Sequence, residues 1–74
     1  MKAIDLISNE TLTTGPFEIK NHILVFIDEA GNEYSDTFSE VRRNGRLETY
    51  QYNGMGYEYM QNLMEAIFLN KVNK

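Results

Sequence analysis

The sequence predicts an α+β fold: an antiparallel sheet of three to four strands packed against one C-terminal amphipathic helix. Three observations carry this. His22-Ile23-Leu24-Val25-Phe26-Ile27 is a continuous apolar run rich in β-branched and aromatic residues, the composition of a strand. Downstream of it, the clusters Ala30-Gly31-Asn32 and Asn44-Gly45 interrupt the chain with residues that tolerate hairpin turns. From Tyr57 the apolar residues recur at three- and four-residue steps, through Met60, Leu63, Met64, Ile67, Phe68 and Val72, which traces one stripe of a helix. A chain of 74 residues makes a single domain over 1–74, with an expected radius of gyration of roughly 11 Å.

In chain order, residues 3 to 8 fit a short N-terminal helix, with Ile4 and Ile7 three apart beside Ala3 and Leu6, although a strand also fits. Thr11 to Pro16 reads as a connection, because Pro16 steers Gly15 away from helix. Phe17-Glu18-Ile19 alternates like a half-buried strand and leads into the apolar run. There Leu24 and Phe26 point to one face and Ile23, Val25 and Ile27 to the other, which predicts that both faces are covered. A hairpin then returns the chain through Glu33-Tyr34-Ser35-Asp36.

Residues 37 to 46 admit two readings. Thr37-Phe38-Ser39-Glu40 matches a capping box for a short helix ending in Arg42 and Arg43. Alternatively, Asn44-Gly45 is a two-residue turn between strands Thr37 to Arg43 and Arg46 to Tyr52. The hairpin is preferred, although it sets Arg43 opposite Arg46. Either way Leu47 to Tyr52 is a strand, with Tyr50 and Tyr52 on one face. The helix from about Tyr57 to Val72 would span roughly 24 Å and lie across the sheet. Glu58 near its start and Lys71 near its end complement the helix dipole.

Composition excludes several function classes. A net charge of −4 disfavours general attraction to nucleic acid or anionic lipid. The absence of cysteine removes disulfides and thiolate metal sites. No signal-peptide pattern and no run of about 20 apolar residues predict a cytoplasmic protein with no membrane contact. Gly54-Met55-Gly56 lacks the third glycine of a dinucleotide-binding loop, since position 59 is Tyr59; the glycines serve a tight turn. His22, the lone histidine, has no ligand-spaced neighbours and reads as a surface residue at a strand end. No nucleophile motif is present. The chain is therefore expected to be non-enzymatic, with no catalytic residue, metal or cofactor.

Binding residues are the remaining candidates. Asp28, Glu29, Glu33 and Asp36 crowd the first hairpin and can present negative charge to a basic partner; the plainer reading is a solubilising turn. Tyr50, Tyr52, Tyr57 and Tyr59 gather around the turn before the helix, either as the capstone of a thin core or as anchors of a contact surface. Arg42, Arg43 and Arg46 form a basic cluster that, with the tyrosines, would suit single-stranded nucleic acid, or else a solvated turn paired with Glu40 and Glu48. Met55, Met60 and Met64 with Tyr57 and Tyr59 exceed what one helix face buries, since Tyr59 and Leu69 lie off the main stripe; the stripe itself serves the core, and an exposed remainder would suit a partner or a homodimer.

The compact acidic domain without cysteine, its Asp28-Glu29-Ala30-Gly31-Asn32-Glu33-Tyr34 hairpin and its leading Ile4-Asp5-Leu6-Ile7 together resemble small phage-encoded inhibitors of the anti-CRISPR type. The resemblance implies an acidic hairpin occupying the nucleic-acid groove of a bacterial nuclease complex, with no active site. The expected function is that of a non-enzymatic protein-binding module, with nucleic-acid binding through the arginines or homodimerisation as alternatives.

Overall fold

A computed structural model describes residues 2–72, the side chain of Asn9 excepted. Five strands precede one helix: β1 (Lys2–Thr14), β2 (Phe17–Ile27), β3 (Glu33–Arg43), β4 (Arg46–Tyr52), β5 (Met55–Tyr57) and α1 (Met60–Val72). Each strand pairs antiparallel with the next in the order β1-β2-β3-β4-β5, a meander built from consecutive hairpins. Two of the turns are Asn-Gly pairs with positive φ at both residues, 50° and 83° at Asn44-Gly45 and 52° and 80° at Asn53-Gly54. That conformation matches the right-handed strand twist, and asparagine and glycine tolerate it best.

The expected architecture holds in outline, with five strands where three to four were expected. The N-terminal segment is not a helix: residues 2 to 14 form the longest strand, pairing from Lys2↔Ile27 to Thr14↔Phe17 with a bulge between Ile7 and Thr11. The i, i+3 spacing of Ile4 and Ile7 is overruled by a ladder to β2 that supplies backbone partners along the whole segment. Residues 11 to 14, read as a connection, belong to the same strand. The helix begins at Met60, not near Tyr57, because Asn53-Gly54 folds Met55–Tyr57 back as β5. Glu58 thus precedes the first helical turn, which holds no acidic residue, while Lys71 does sit in the last. Long strands stretch the molecule to 44 × 22 × 17 Å and a radius of gyration of 13.1 Å, above the value for a compact chain of this length.

The helix seals one face of the sheet. Leu63 and Ile67, both fully buried, pack on Leu24, Phe26, Phe38 and Tyr52. Phe26 stacks on Tyr34 at 5.3 Å and meets Phe68 at 6.0 Å. The prediction that both faces of β2 are covered fails: Ile23 is 42 % exposed, and its neighbours across β1 on the same face, Ile4 and Leu6, are 43 % and 51 % exposed. One helix can cover only one side of a sheet, and no other described residue lies over the second. The structure is thus a two-layer α+β unit with one open sheet face.

Candidate functional site

Half of the acidic hairpin is occupied with its own fold. Asp28 Oδ1 accepts the backbone N–H of Ala30 at 3.0 Å and of Asn32 at 2.8 Å, and its Oδ2 accepts from the Asn32 amide and the Tyr34 hydroxyl. The Asn32 side chain and backbone, foremost, hold the Asp28 carboxyl below its ordinary pKa. Asp36 accepts the Tyr52 hydroxyl at 2.5 Å, and Lys71 Nζ stands 3.9 Å away. Glu29 and Glu33 are exposed and keep their charge for the outside.

The tyrosines divide in the same way. Tyr52 is 7 % exposed, donates to Asp36 and accepts from the Asn70 amide at 2.7 Å. Tyr50 meets the edge of Phe38 at 6.0 Å, and Tyr57 packs half-buried on the core. Of the four, only Tyr59, at 63 %, stands out in solvent. The arginines are not one grip either. Arg42 donates to Glu40 and to the Gly45 carbonyl. Arg43 lies over the Phe17 ring at 5.6 Å, directly opposite Arg46 in the β3–β4 register.

The polar centre of the molecule is one that sequence reasoning missed. His22 is not on the surface; it is 2 % exposed, stacked on Phe38 at 4.6 Å. Its Nδ1 is 3.0 Å from Asp5 Oδ1 and its Nε2 is 3.1 Å from Glu40 Oε1. Carboxylates only accept, so each contact is made by a ring N–H of His22 donating to the facing carboxylate. Glu40 in turn accepts from Arg42, closing an Asp5–His22–Glu40–Arg42 chain across three strands. Nothing local in the sequence marks it: Asp5, His22 and Glu40 meet only because β1, β2 and β3 pair in this register.

Burial alone would raise Glu40, but the hydrogen bond and charge of Arg42, with those of His22, outweigh it and hold the carboxyl below its ordinary value. Its contribution to stability is therefore complete above about pH 4.3 and is lost as pH falls through the lowered folded value. Tyr52 behaves oppositely: burial and the bond to Asp36 raise it, so its contribution is complete below about pH 10 and lost as pH rises through the raised value. Urea midpoints across pH are expected to fall in both windows. Glu40→Gln should flatten the acid limb and Tyr52→Phe the alkaline limb; unchanged limbs would refute these assignments.

On the open face, a groove of about 680 Å³ crosses the sheet. Its lining includes Ser8 and Glu10 from β1, Asn21 and Ile23 from β2, Thr37 and Ser39 from β3, Gln51 from β4, and Asn53-Gly54 of the turn that follows. This polar belt runs across the strands, with Ile4, Leu6, Ile23, Val25 and Ile27 on one side of it and Leu12, Phe17 and Ile19 on the other. Charge is divided between the two ends of the same face. Glu33, beside the Asp28-Glu29 turn, lies at one end with Lys2, and Arg43 and Arg46 lie at the other. The 11 residues of β3 separate them, roughly 35 Å of strand.

Among the described residues no group of three or more His, Cys, Asp or Glu side chains could hold a metal ion, and no helix is long and apolar enough to cross a membrane. No family model, curated protein or solved structure matches the chain.

Proposed function

We propose that the chain is a non-enzymatic protein-binding module whose contact surface is the open face of the sheet. The observation that carries this reading is an apolar sheet face on which Ile4, Leu6 and Ile23 are exposed and Val25 and Ile27 half-buried, and which no other described element covers. Contiguous apolar surface of this kind marks a site of protein contact. The polar belt and the charged ends then supply the specific rim that an apolar centre needs. Recognition thus shifts from the tyrosines, three of which serve the core, to a flat surface with Glu29 and Glu33 as its electrostatic steering groups. The acidic hairpin implied by the resemblance to phage inhibitors keeps two free carboxylates of four, a steering element and not a nucleic-acid mimic on its own.

The test is an affinity capture with the wild type and with Leu6→Asp/Ile23→Asp, both side chains being solvent-exposed. The double variant is expected to keep its far-ultraviolet circular dichroism and lose at least 90 % of whatever specific partner the wild type retains. Equal retention by a folded variant would remove the open face as the contact surface. Glu29→Lys/Glu33→Lys is expected to slow association and reduce its dependence on salt.

A further inference from the structure

Resting on the reading of the open face as a protein-binding surface, we propose that its partner is a second copy of this chain, stacked face to face with its strands running antiparallel to the first. Three features of the face support a self-complementary contact.

The first is the distribution of charge. Glu29 and Glu33 occupy one end of the sheet, against the single Lys2, and Arg43 and Arg46 occupy the other. Arg43 and Arg46 sit directly opposite each other, a like-charge pair that destabilises the β3–β4 hairpin unless something neutralises it. A two-fold axis lying in the plane of contact and perpendicular to the strands lays each arginine pair against the partner's Glu29 and Glu33. An axis parallel to the strands would instead set acid on acid and base on base. Electrostatics therefore selects the antiparallel arrangement.

The second is the polar belt. Ser8, Asn21, Ser39 and Gln51 run across the strands near the middle of β3, which is where that axis must pass. Each then faces its own counterpart. Ser39 Oγ donates to Asn21 Oδ1 at 3.0 Å, so the Asn21 and Gln51 amides, each able to donate and accept, are the groups left to pair with their own counterparts. A carboxylate or ammonium in that row would forbid such packing; Glu10 stands at the β1 edge of the groove, where it can reach solvent.

The third is size. Extents of 44 × 22 Å bound the face at roughly 900 Å², so a contact over most of it would reach the ~800 Å² that each partner buries in a stable interface. The apolar patches on either side of the belt would close on those of the second copy. Two twisted sheets crossing at about 30° form a sandwich about 10 Å thick. Each helix would stay on the outside, so neither core would need to open.

Light scattering across a concentration series at low salt is expected to give a mass twice the 8.6 kDa of the chain. Arg43→Glu/Arg46→Glu should weaken the dimer at least tenfold, and adding Glu29→Arg/Glu33→Arg to that variant should restore it. The chain has no cysteine, so Ser39→Cys reports directly: oxidation should cross-link it across the axis, while Tyr59→Cys should stay uncross-linked. A monomer mass at every concentration overturns self-association. If that monomer binds an apolar dye that Ile23→Asp abolishes, the open face still stands as a site for another protein; if no dye binds, the functional reading falls with it. A dimer that survives charge reversal but is lost in Tyr59→Asp would place the contact on the tyrosine and methionine surface, and would also overturn the proposal.

Discussion

Leu63→Ala is expected to cost about 3–5 kcal/mol and to leave little folded protein at 37 °C. Leu63 is fully buried and, with Ile67, forms the line of contact between α1 and the sheet. Truncating it forfeits the transfer free energy of the lost carbons and opens a cavity that long strands cannot collapse to fill. A domain of this length holds roughly 4–11 kcal/mol in total, so one such loss removes much of the margin. Ile67→Ala should match it for the same reason. Leu69, on the outer side of the same helix and 46 % exposed, is the control: Leu69→Ala should stay within about 0.5 kcal/mol. Urea denaturation of the three variants decides the matter, and equal costs at 63 and 69 would mean that the helix is not seated as described.

The second large effect is expected at His22. His22→Ala should destabilise the fold by about 3 kcal/mol or more, because it strips the hydrogen-bonding imidazole from between two carboxylates, one of them on the largely buried Glu40, and opens a void beside Phe38. Removing one partner of a buried ion pair costs far more than the pair itself contributes. Hence a double replacement, His22→Leu/Glu40→Leu, should recover at least half of the loss, since it leaves no orphaned charge at position 40. Asp5→Asn should cost less than His22→Ala, because the Asp5 side chain is 37 % exposed and water can replace its bond. A His22→Ala variant as stable as the wild type, or a double variant worse than the single, would show that the charge chain across β1, β2 and β3 is not a structural element.

Much of the fold was legible because its signals are local. The β2 run, the turn after it and Asn44-Gly45 were read from residue types whose backbone preferences act within a few positions, and each is where it was expected. So is the body of α1, whose buried Leu63 and Ile67 belong to the predicted stripe. The choice between helix and strand for residues 37 to 43 came down to the preferred hairpin, Arg43 opposite Arg46 included. β5 escaped notice because three residues carry no period of their own. The candidate site was less legible. Asp28 and Asp36 looked free in the sequence but bond to groups that the first hairpin and β4 bring to them.

What the amino-acid sequence determined by itself was the set of chain reversals, the strand between residues 22 and 27 and the apolar stripe of the helix, all preferences of neighbouring residues for particular backbone angles and periods. What only the tertiary structure decided was the fate of residues 2 to 14, the burial of His22 and the openness of one sheet face. Each depends on pairing partners far apart in the chain. A segment of balanced helix and strand propensity takes the conformation that the adjacent strand's unpaired backbone offers. A histidine lands inside or outside according to which carboxylates the register sets beside it. Whether an apolar face is covered depends on how many elements remain to cover it, and here a single helix was left for the two faces of a five-stranded sheet.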